Sequence, residues 1–251
     1  GAGLSFYDEY LEKFNSITNY QVPRNIHVDV VRAITTDADG SVWVGTSGHG
    51  LMQYFPGANS WAKYSTEDPP GTRLTSDRIM SLYADVSSGD LWIGTQGGGL
   101  NILGPDGSVQ TYGGSRPDTG YPVTIWSIFK DSQARVWLGT RENGLVQFGK
   151  ETGPVRIFDS SPGRQGPRVS DNIRVIEEDL GGNLWLGTDS EELIRLHPDT
   201  GEIKVFREGS GPNTLSNDVI KSLYFSREDG VLWIGTYGGG LNALDTRQEK
   251  F

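Results

Sequence analysis

The sequence predicts an all-β chain, a β-propeller built of four-stranded antiparallel blades, and three observations carry that prediction. A five-residue phrase recurs five times: Val42-Trp43-Val44-Gly45-Thr46, Leu91-Trp92-Ile93-Gly94-Thr95, Val136-Trp137-Leu138-Gly139-Thr140, Leu184-Trp185-Leu186-Gly187-Thr188 and Leu232-Trp233-Ile234-Gly235-Thr236. The Trp-to-Trp steps are 49, 45, 48 and 48 residues, and a fixed period of this size marks a repeat architecture. Between the phrases, short apolar runs alternate with clusters of Gly, Asp, Asn, Ser and Pro, the turn chemistry of many short strands; no segment carries a sustained helical period with caps.

Residues 29–65 show one repeat in full. Residues 30–36 form an apolar, β-branched run, and the tight turn Asp37-Ala38-Asp39-Gly40 leads into a second strand, 42–46, where Trp43 points opposite to Val42 and Val44. Ser47-Gly48-His49-Gly50 turns into a third strand, 51–55, and Pro56-Gly57-Ala58-Asn59 into a fourth, 61–65. Four such strands, repeated radially, make one propeller blade, with the first strand innermost. The other blades follow this plan: 79–85 precedes Trp92 and 109–112 ends the blade; 125–131 precedes Trp137 and 155–158 ends it; 173–179 precedes Trp185 and 203–206 ends it; 219–225 precedes Trp233. The expected blades are 26–73, 74–120, 121–168, 169–214 and 215–251, with 1–25 supplying outer strands of a preceding blade. All five Trp, flanked by aliphatic residues, are expected to fill the wedge between neighbouring sheets. The Gly before Leu51, Leu100, Leu145 and Leu241 is expected to take a φ that other residues reach only at a cost of about 1–2 kcal/mol. Glu192 stands at that place in blade four, so its turn must differ in shape.

A formal charge of −10 without a Lys/Arg cluster argues against nucleic acid, whose phosphates demand a basic face. The absence of Cys excludes disulfides, thiol catalysis and thiolate metal sites. No apolar stretch approaches the roughly 20 residues needed to span a bilayer. The opening Gly1 to Phe14 and the closing Gly238 to Phe251 share seven of fourteen residues, so both ends occupy one phase of the repeat. With no initiator Met and no signal peptide, a fragment cut in phase from a longer array is the expectation, a complete closed ring the alternative.

The phrase Leu232-Trp233-Ile234-Gly235-Thr236-Tyr237-Gly238-Gly239-Gly240-Leu241-Asn242 resembles the two-component regulator propeller repeat. So do the lead-in Pro212-Asn213-Thr214-Leu215-Ser216-Asn217-Asp218-Val219 and its echoes Leu74-Thr75-Ser76-Asp77-Arg78-Ile79 and Val169-Ser170-Asp171-Asn172-Ile173. The resemblance implies seven-bladed propellers forming the extracytoplasmic, usually periplasmic, sensor region of bacterial hybrid histidine kinases and some diguanylate cyclases. It also implies oligosaccharide ligands for many members and a homodimer in the intact receptor. About five and a half repeats are present here, so a ring of that kind needs blades from outside this sequence.

Candidate chemistry is sparse. Asp37-Ala38-Asp39-Gly40 resembles part of a calcium loop but lacks the acidic twelfth position, and Asp-Gly is itself a hairpin signal. An Asp-box of the sialidase kind would need Asp where Ala38 stands. Gly97-Gly98-Gly99 and Gly238-Gly239-Gly240 precede no helix and are not phosphate cradles. His197 sits in a solvated turn. His27, before the first strand of blade one, and His49, in its second-to-third turn, should emerge on the same face, making a base or metal pair geometrically possible. Streptogramin-lyase propellers, which have similar Trp-containing blades, use His on such a face. No further His and no obvious acidic partner accompany the pair, so neither catalytic residues, metal nor cofactor are assigned.

Ligand binding is expected on the face gathering the second-to-third turns and the lead-ins, where positions vary while the scaffold repeats. The turns offer His49, Gln96, Arg141, Asp189 and Tyr237; the lead-ins offer Arg78, Trp126 and Arg174, beside Asp77, Asp171, Asp218 and Lys221. Rings for stacking and forked groups for hydroxyls suit an oligosaccharide or other polar small molecule. The expected function is the extracytoplasmic, periplasmic ligand-sensing propeller of a bacterial signal-transduction receptor. A streptogramin-lyase-like enzyme resting on His27 and His49, and a protein–protein interaction platform, are the alternatives.

Overall fold

The computed structural model describes residues 4–8, 13–17, 21–113, 121–161, 167–189, 192–211 and 214–251. The chain divides into two compact units, 1–125 and 126–251. All regular structure among the described residues is strand, arranged in the sheet pattern of β-propeller blades. No helix among them is long and apolar enough to cross a membrane.

In the first unit, β1 (Leu4–Asp8) pairs with β2 (Lys13–Ile17). Blade one follows as β3 (Val31–Thr36), β4 (Val42–Thr46), β5 (Leu51–Phe55) and β6 (Ser60–Tyr64), hydrogen-bonded in sequence order. Blade two is β7 (Ile79–Asp85), β8 (Asp90–Thr95), β9 (Leu100–Leu103) and β10 (Val109–Tyr112). The next sheet contains β11 (Ile125–Lys130), β12 (Val136–Thr140), β13 (Leu145–Gly149) and β14 (Gly153–Phe158). Blade four is β15 (Ile173–Glu178), β16 (Leu184–Thr188), β17 (Leu193–Leu196) and β18 (Ile203–Phe206). Blade five has three strands, β19 (Ile220–Ser226), β20 (Val231–Thr236) and β21 (Leu241–Asp245).

The Trp of β4, β12 and β16 packs forward onto the blade that follows. Trp43 lies with Leu74, Ile79, Leu91 and Ile93 of blade two. Trp137 lies with Ile173, Ile176, Leu184 and Leu186 of blade four, and Trp185 with Ile220, Phe225, Leu232 and Ile234 of blade five. The phrase's Gly makes room for that approach: a Cβ on Gly45 would sit 2.6 Å from Ile79, and one on Gly187 2.6 Å from Ile220. Four of the five Trp are 0–5% exposed, but Trp233 is 38% exposed, beside exposed Tyr224 and Leu241. The expectation of five equivalent core positions therefore fails at Trp233.

Asp131 and Asp179, expected as the last strand residues, instead begin the first-to-second turns. Each carboxylate accepts the backbone N–H two and four residues on, and the indole N–H of the Trp six residues on. Asp37 holds Asp39, Ser41 and Trp43 Nε1 at 3.0, 2.9 and 2.8 Å. Asp131 holds Gln133, Arg135 and Trp137 Nε1 at 3.0, 2.8 and 2.8 Å. Asp179 holds Gly181, Asn183 and Trp185 Nε1 at 2.9, 3.0 and 2.8 Å. Charge-assisted bonds of this kind are the strong class. The core ring is thus tied to its own hairpin at the moment it is buried against the next sheet.

Asp131→Ala leaves the Trp137 indole and two amides without their acceptor and is expected to lower stability by about 2–4 kcal/mol in urea unfolding. Gly187→Ala drives a methyl into Ile220 and is expected to cost about 1–3 kcal/mol. At Gly235 the added Cβ meets chiefly the Ser222 hydroxyl, which can rotate away, so the same unfolding experiment on Gly235→Ala should give a smaller loss.

Candidate ligand face

The second-to-third turns are closed by the Thr that ends each phrase. Thr46, Thr95, Thr140, Thr188 and Thr236 donate their hydroxyls to the carbonyls of Gly50, Gly99, Gly144, Glu192 and Gly240 at 2.7, 2.8, 2.8, 2.9 and 3.0 Å. Gly50, Gly99, Gly144 and Gly240 all take positive φ, from 65° to 82°, as their place before Leu led one to expect. In blades one and three the same hydroxyls accept the N–H of His49 and Asn143; in blade four the Thr188 hydroxyl accepts the N–H of Glu192 itself. That turn is therefore built differently, and its residues 190 and 191 lie outside the described residues. The closure uses the repeated geometry of the phrase and leaves the intervening turn side chains free to vary.

The lead-in positions divide into two kinds. Asp77 and Asp171 are engaged by the scaffold. The Asp77 carboxylate accepts the N–H and hydroxyl of Thr66 at 2.9 and 2.8 Å, and the Asp171 carboxylate those of Ser160 at 2.8 and 2.6 Å. Asp218 likewise accepts the N–H of Glu208. These carboxylates clamp the end of one blade to the start of the next.

The second residue of the first strand behaves differently. The β3–β4, β7–β8, β15–β16 and β19–β20 registers each slip there, passing over Arg32, Met80, Arg174 and Lys221. A bulge leaves the extra residue out of the ladder and re-aims its side chain. Trp126 holds the matching position of β11. Periodicity alone did not show this; the signal was a fixed Ile or Val followed in successive blades by Arg, Met, Trp, Arg and Lys.

In the second unit these bulge residues meet the turn residues. The Trp126 indole N–H donates to Asn172 Oδ1 at 3.0 Å, and the Arg174 guanidinium lies 4.5 Å over the same ring. Asp189 accepts from Lys221 at 2.6 Å and lies 3.5 Å from Arg174. The Lys221 ammonium stands 5.4 Å over the ring of Tyr237, which is 72% exposed. Four expected residues, Trp126, Arg174, Asp189 and Tyr237, are thereby joined into one run with Lys221 and Asn172. Arg141 is not joined to it; among the described residues it pairs only with exposed Glu142, at 3.9 Å.

The first unit carries a separate set. Gln96 donates its backbone N–H to the Arg78 carbonyl at 2.9 Å, and the two line a shallow polar recess with Ser47, Thr66 and Asp77. His49 stacks on His27 with centroids 4.3 Å apart and planes 23° from parallel, so the two rings do share a face. Asp29 stands beside them, the three donor atoms lying within 4.8 Å of one another. The sequence reading found no acidic partner for the pair, although Asp29 follows His27 by two residues, the spacing that returns to the same side of an extended chain. A deeper recess at the opposite ends of these strands is lined by Asp37, Trp43, Tyr64, Asp90 and Pro105, and its Asp37 is committed to the turn and indole bonds.

Residues 26–48 match the family model described as two component regulator propeller. No curated protein matches at a significant level. Among solved structures, the chain is similar to the extracellular domain of BT3049 from B. thetaiotaomicron, described as a hybrid two component system. The TM-score is 0.79 at 23% identity, over 98% of this chain and 31% of that one. PorZ of Porphyromonas gingivalis, a bacterial surface component of the type-IX secretion system, matches with a TM-score of 0.71 at 20% identity, over 96% of this chain and 35% of that one. Virginiamycin B lyase from Staphylococcus aureus matches at 0.58 and 14% identity, over 86% of this chain and 69% of that one. The chain spans about a third of the first two proteins, and likeness at these identities establishes the propeller fold.

The Asp189 pairs are roughly one-third exposed, so solvent screening leaves them worth at most about 1 kcal/mol to folding. Asp189→Asn is expected to leave the urea midpoint nearly unchanged, in contrast to the buried Asp131.

Proposed function

We propose that this chain is part of the extracytoplasmic, periplasmic sensing region of a bacterial signal-transduction receptor, and that it binds an oligosaccharide or other polar small molecule without transforming it. The observation that supports this most is the run Trp126–Arg174–Asp189–Lys221–Tyr237. It combines two aromatic rings, a guanidinium and an ammonium held by one carboxylate, on strands and turns whose backbone is fixed by other residues. Stacking surface with oriented polar groups is what a polyhydroxyl ligand requires. The pairs contribute little to folding, and three successive blades supply them at the positions that vary. The regulator-propeller repeat and the extracellular domain of the two component system supply the signalling context. Binding would act by favouring one of two output states in a dimer of the intact receptor.

The lyase reading has support only in the His27–His49 pair and a fold-level likeness. A thermal-shift panel of oligosaccharides separates the readings, because a ligand that binds only the folded state raises Tm. A glycan is expected to raise Tm of the chain, and Tyr237→Ala is expected to weaken its binding by about 30-fold, the loss of one aromatic anchor worth about 2 kcal/mol. A panel with no shift, together with ring opening of a streptogramin that disappears in His27→Ala/His49→Ala, would replace the sensor with an enzyme. No shift together with a co-purifying protein would replace it with an interaction platform.

A further inference from the structure

We propose that His27, Asp29 and His49 form a binding site for a divalent transition-metal ion, with Zn²⁺ as the best-matched occupant. Among the described residues this is the one cluster of three or more His, Cys, Asp or Glu whose donor atoms gather within ligation range, the atoms lying within 4.8 Å of one another.

Burial places the ligands. Ile26 and Val28 are buried in the core of blade one, with Val44 and Met52. His27 and Asp29 alternate with them and therefore turn together to the other side, where both are half-buried. His49 arrives from the turn between β4 and β5. That turn is held at several points: Thr46 closes it across Gly50, the His49 N–H donates to the Thr46 hydroxyl at 3.1 Å, and the N–H groups of Gly48 and Gly50 both donate to the Asp77 carbonyl at 3.0 Å. The Ser47 N–H donates to the Val30 carbonyl at 3.0 Å, which ties the turn to the segment carrying His27 and Asp29. The backbones bearing the three half-buried ligands are thus fixed relative to one another.

The donor set has a defined preference. Two imidazoles and one carboxylate are borderline ligands of the kind zinc takes, and three protein ligands leave a coordination position for water or another donor. In a filled tetrahedral site with bonds of about 2.0–2.1 Å, donors stand roughly 3.3 Å apart, so ligation draws these atoms inward by side-chain rotation. The stacked rings, 4.3 Å between centroids, already bring two nitrogens to one place. Blade one alone has this set. The residue matching His49 is Gly98, Asn143 and Gly239 in blades two, three and five, and those matching His27 in blades two, four and five are Thr75, Val169 and Ser216. Asp29 holds the lead-in place of Asp77 and Asp171, so the two His residues bring imidazoles to a carboxylate position that belongs to the scaffold.

The test is titration of the chelator-stripped chain with Zn²⁺ alone, followed by calorimetry and by imidazole ¹H–¹⁵N NMR of the three His. One equivalent is expected to bind and to shift the resonances of His27 and His49 together, leaving His197 in place. His27→Ala and His49→Ala should each weaken binding at least 10-fold, Asp29→Asn several-fold, and His197→Ala not at all. The NMR readout uses the unmodified chain, so it decides the matter even where a variant folds poorly. Binding that survives in His27→Ala/His49→Ala, a joint shift of all three His, or no shift at one equivalent would each overturn the site.

Discussion

The forward packing of one indole onto the next sheet is the contact on which the rest of the structure depends. Trp43, Trp137 and Trp185 are each buried against aliphatic residues of the following blade, and each is held from behind by an Asp carboxylate in its own hairpin. A large ring supplies the apolar area, about 25 cal/mol for each Å² removed from water. The carboxylate removes the penalty of burying the indole N–H without a partner. The Gly two residues on lets the neighbouring Ile close down. In blades one, three and four, three residue types at fixed spacing therefore do the stabilising, and they draw on nothing at the turn end of the strands.

That division explains why the variable residues can carry recognition. The Thr hydroxyl closes the second-to-third turn, the lead-in Asp clamps successive blades, and the bulge in the first strand ejects one side chain from the ladder. What remains at that end of the sheet is one bulge residue and the turn residues of each blade, and in the second unit they assemble into the Trp126 to Tyr237 run. The first unit places Arg32 and Met80 at its bulges and collects His27, Asp29 and His49 instead. The two units therefore present different chemistry on the same scaffold.

Much of the fold was legible in the sequence because alternation, turn residues and the repeated Trp phrase all report local geometry. The strands β4, β5, β7 and β10 begin and end where the pattern places them. The Asp-to-indole bond was also written there, as an Asp six residues before Trp43, Trp137 and Trp185; it was overlooked because the acidic turn residues were weighed as metal or glycosidase ligands. Trp233 misled because identical local sequence meets a different neighbour, a fact that belongs to packing. The bulges were hidden for a related reason, since a register slip is a property of two strands and appears in neither one alone. The bonds of Asp77 and Asp171 to Thr66 and Ser160 were hidden too, because a turn carboxylate gives no sign, in sequence, of which amide it will hold.

The hydroxyl that seals each turn has a consequence for descent. A loop that owes its shape to a residue outside itself can exchange its own side chains with little penalty to the fold, so mutation is steered towards the rim and away from the frame. Lineages that inherit this arrangement can diversify what they recognise one loop at a time, each trial beginning from an intact protein.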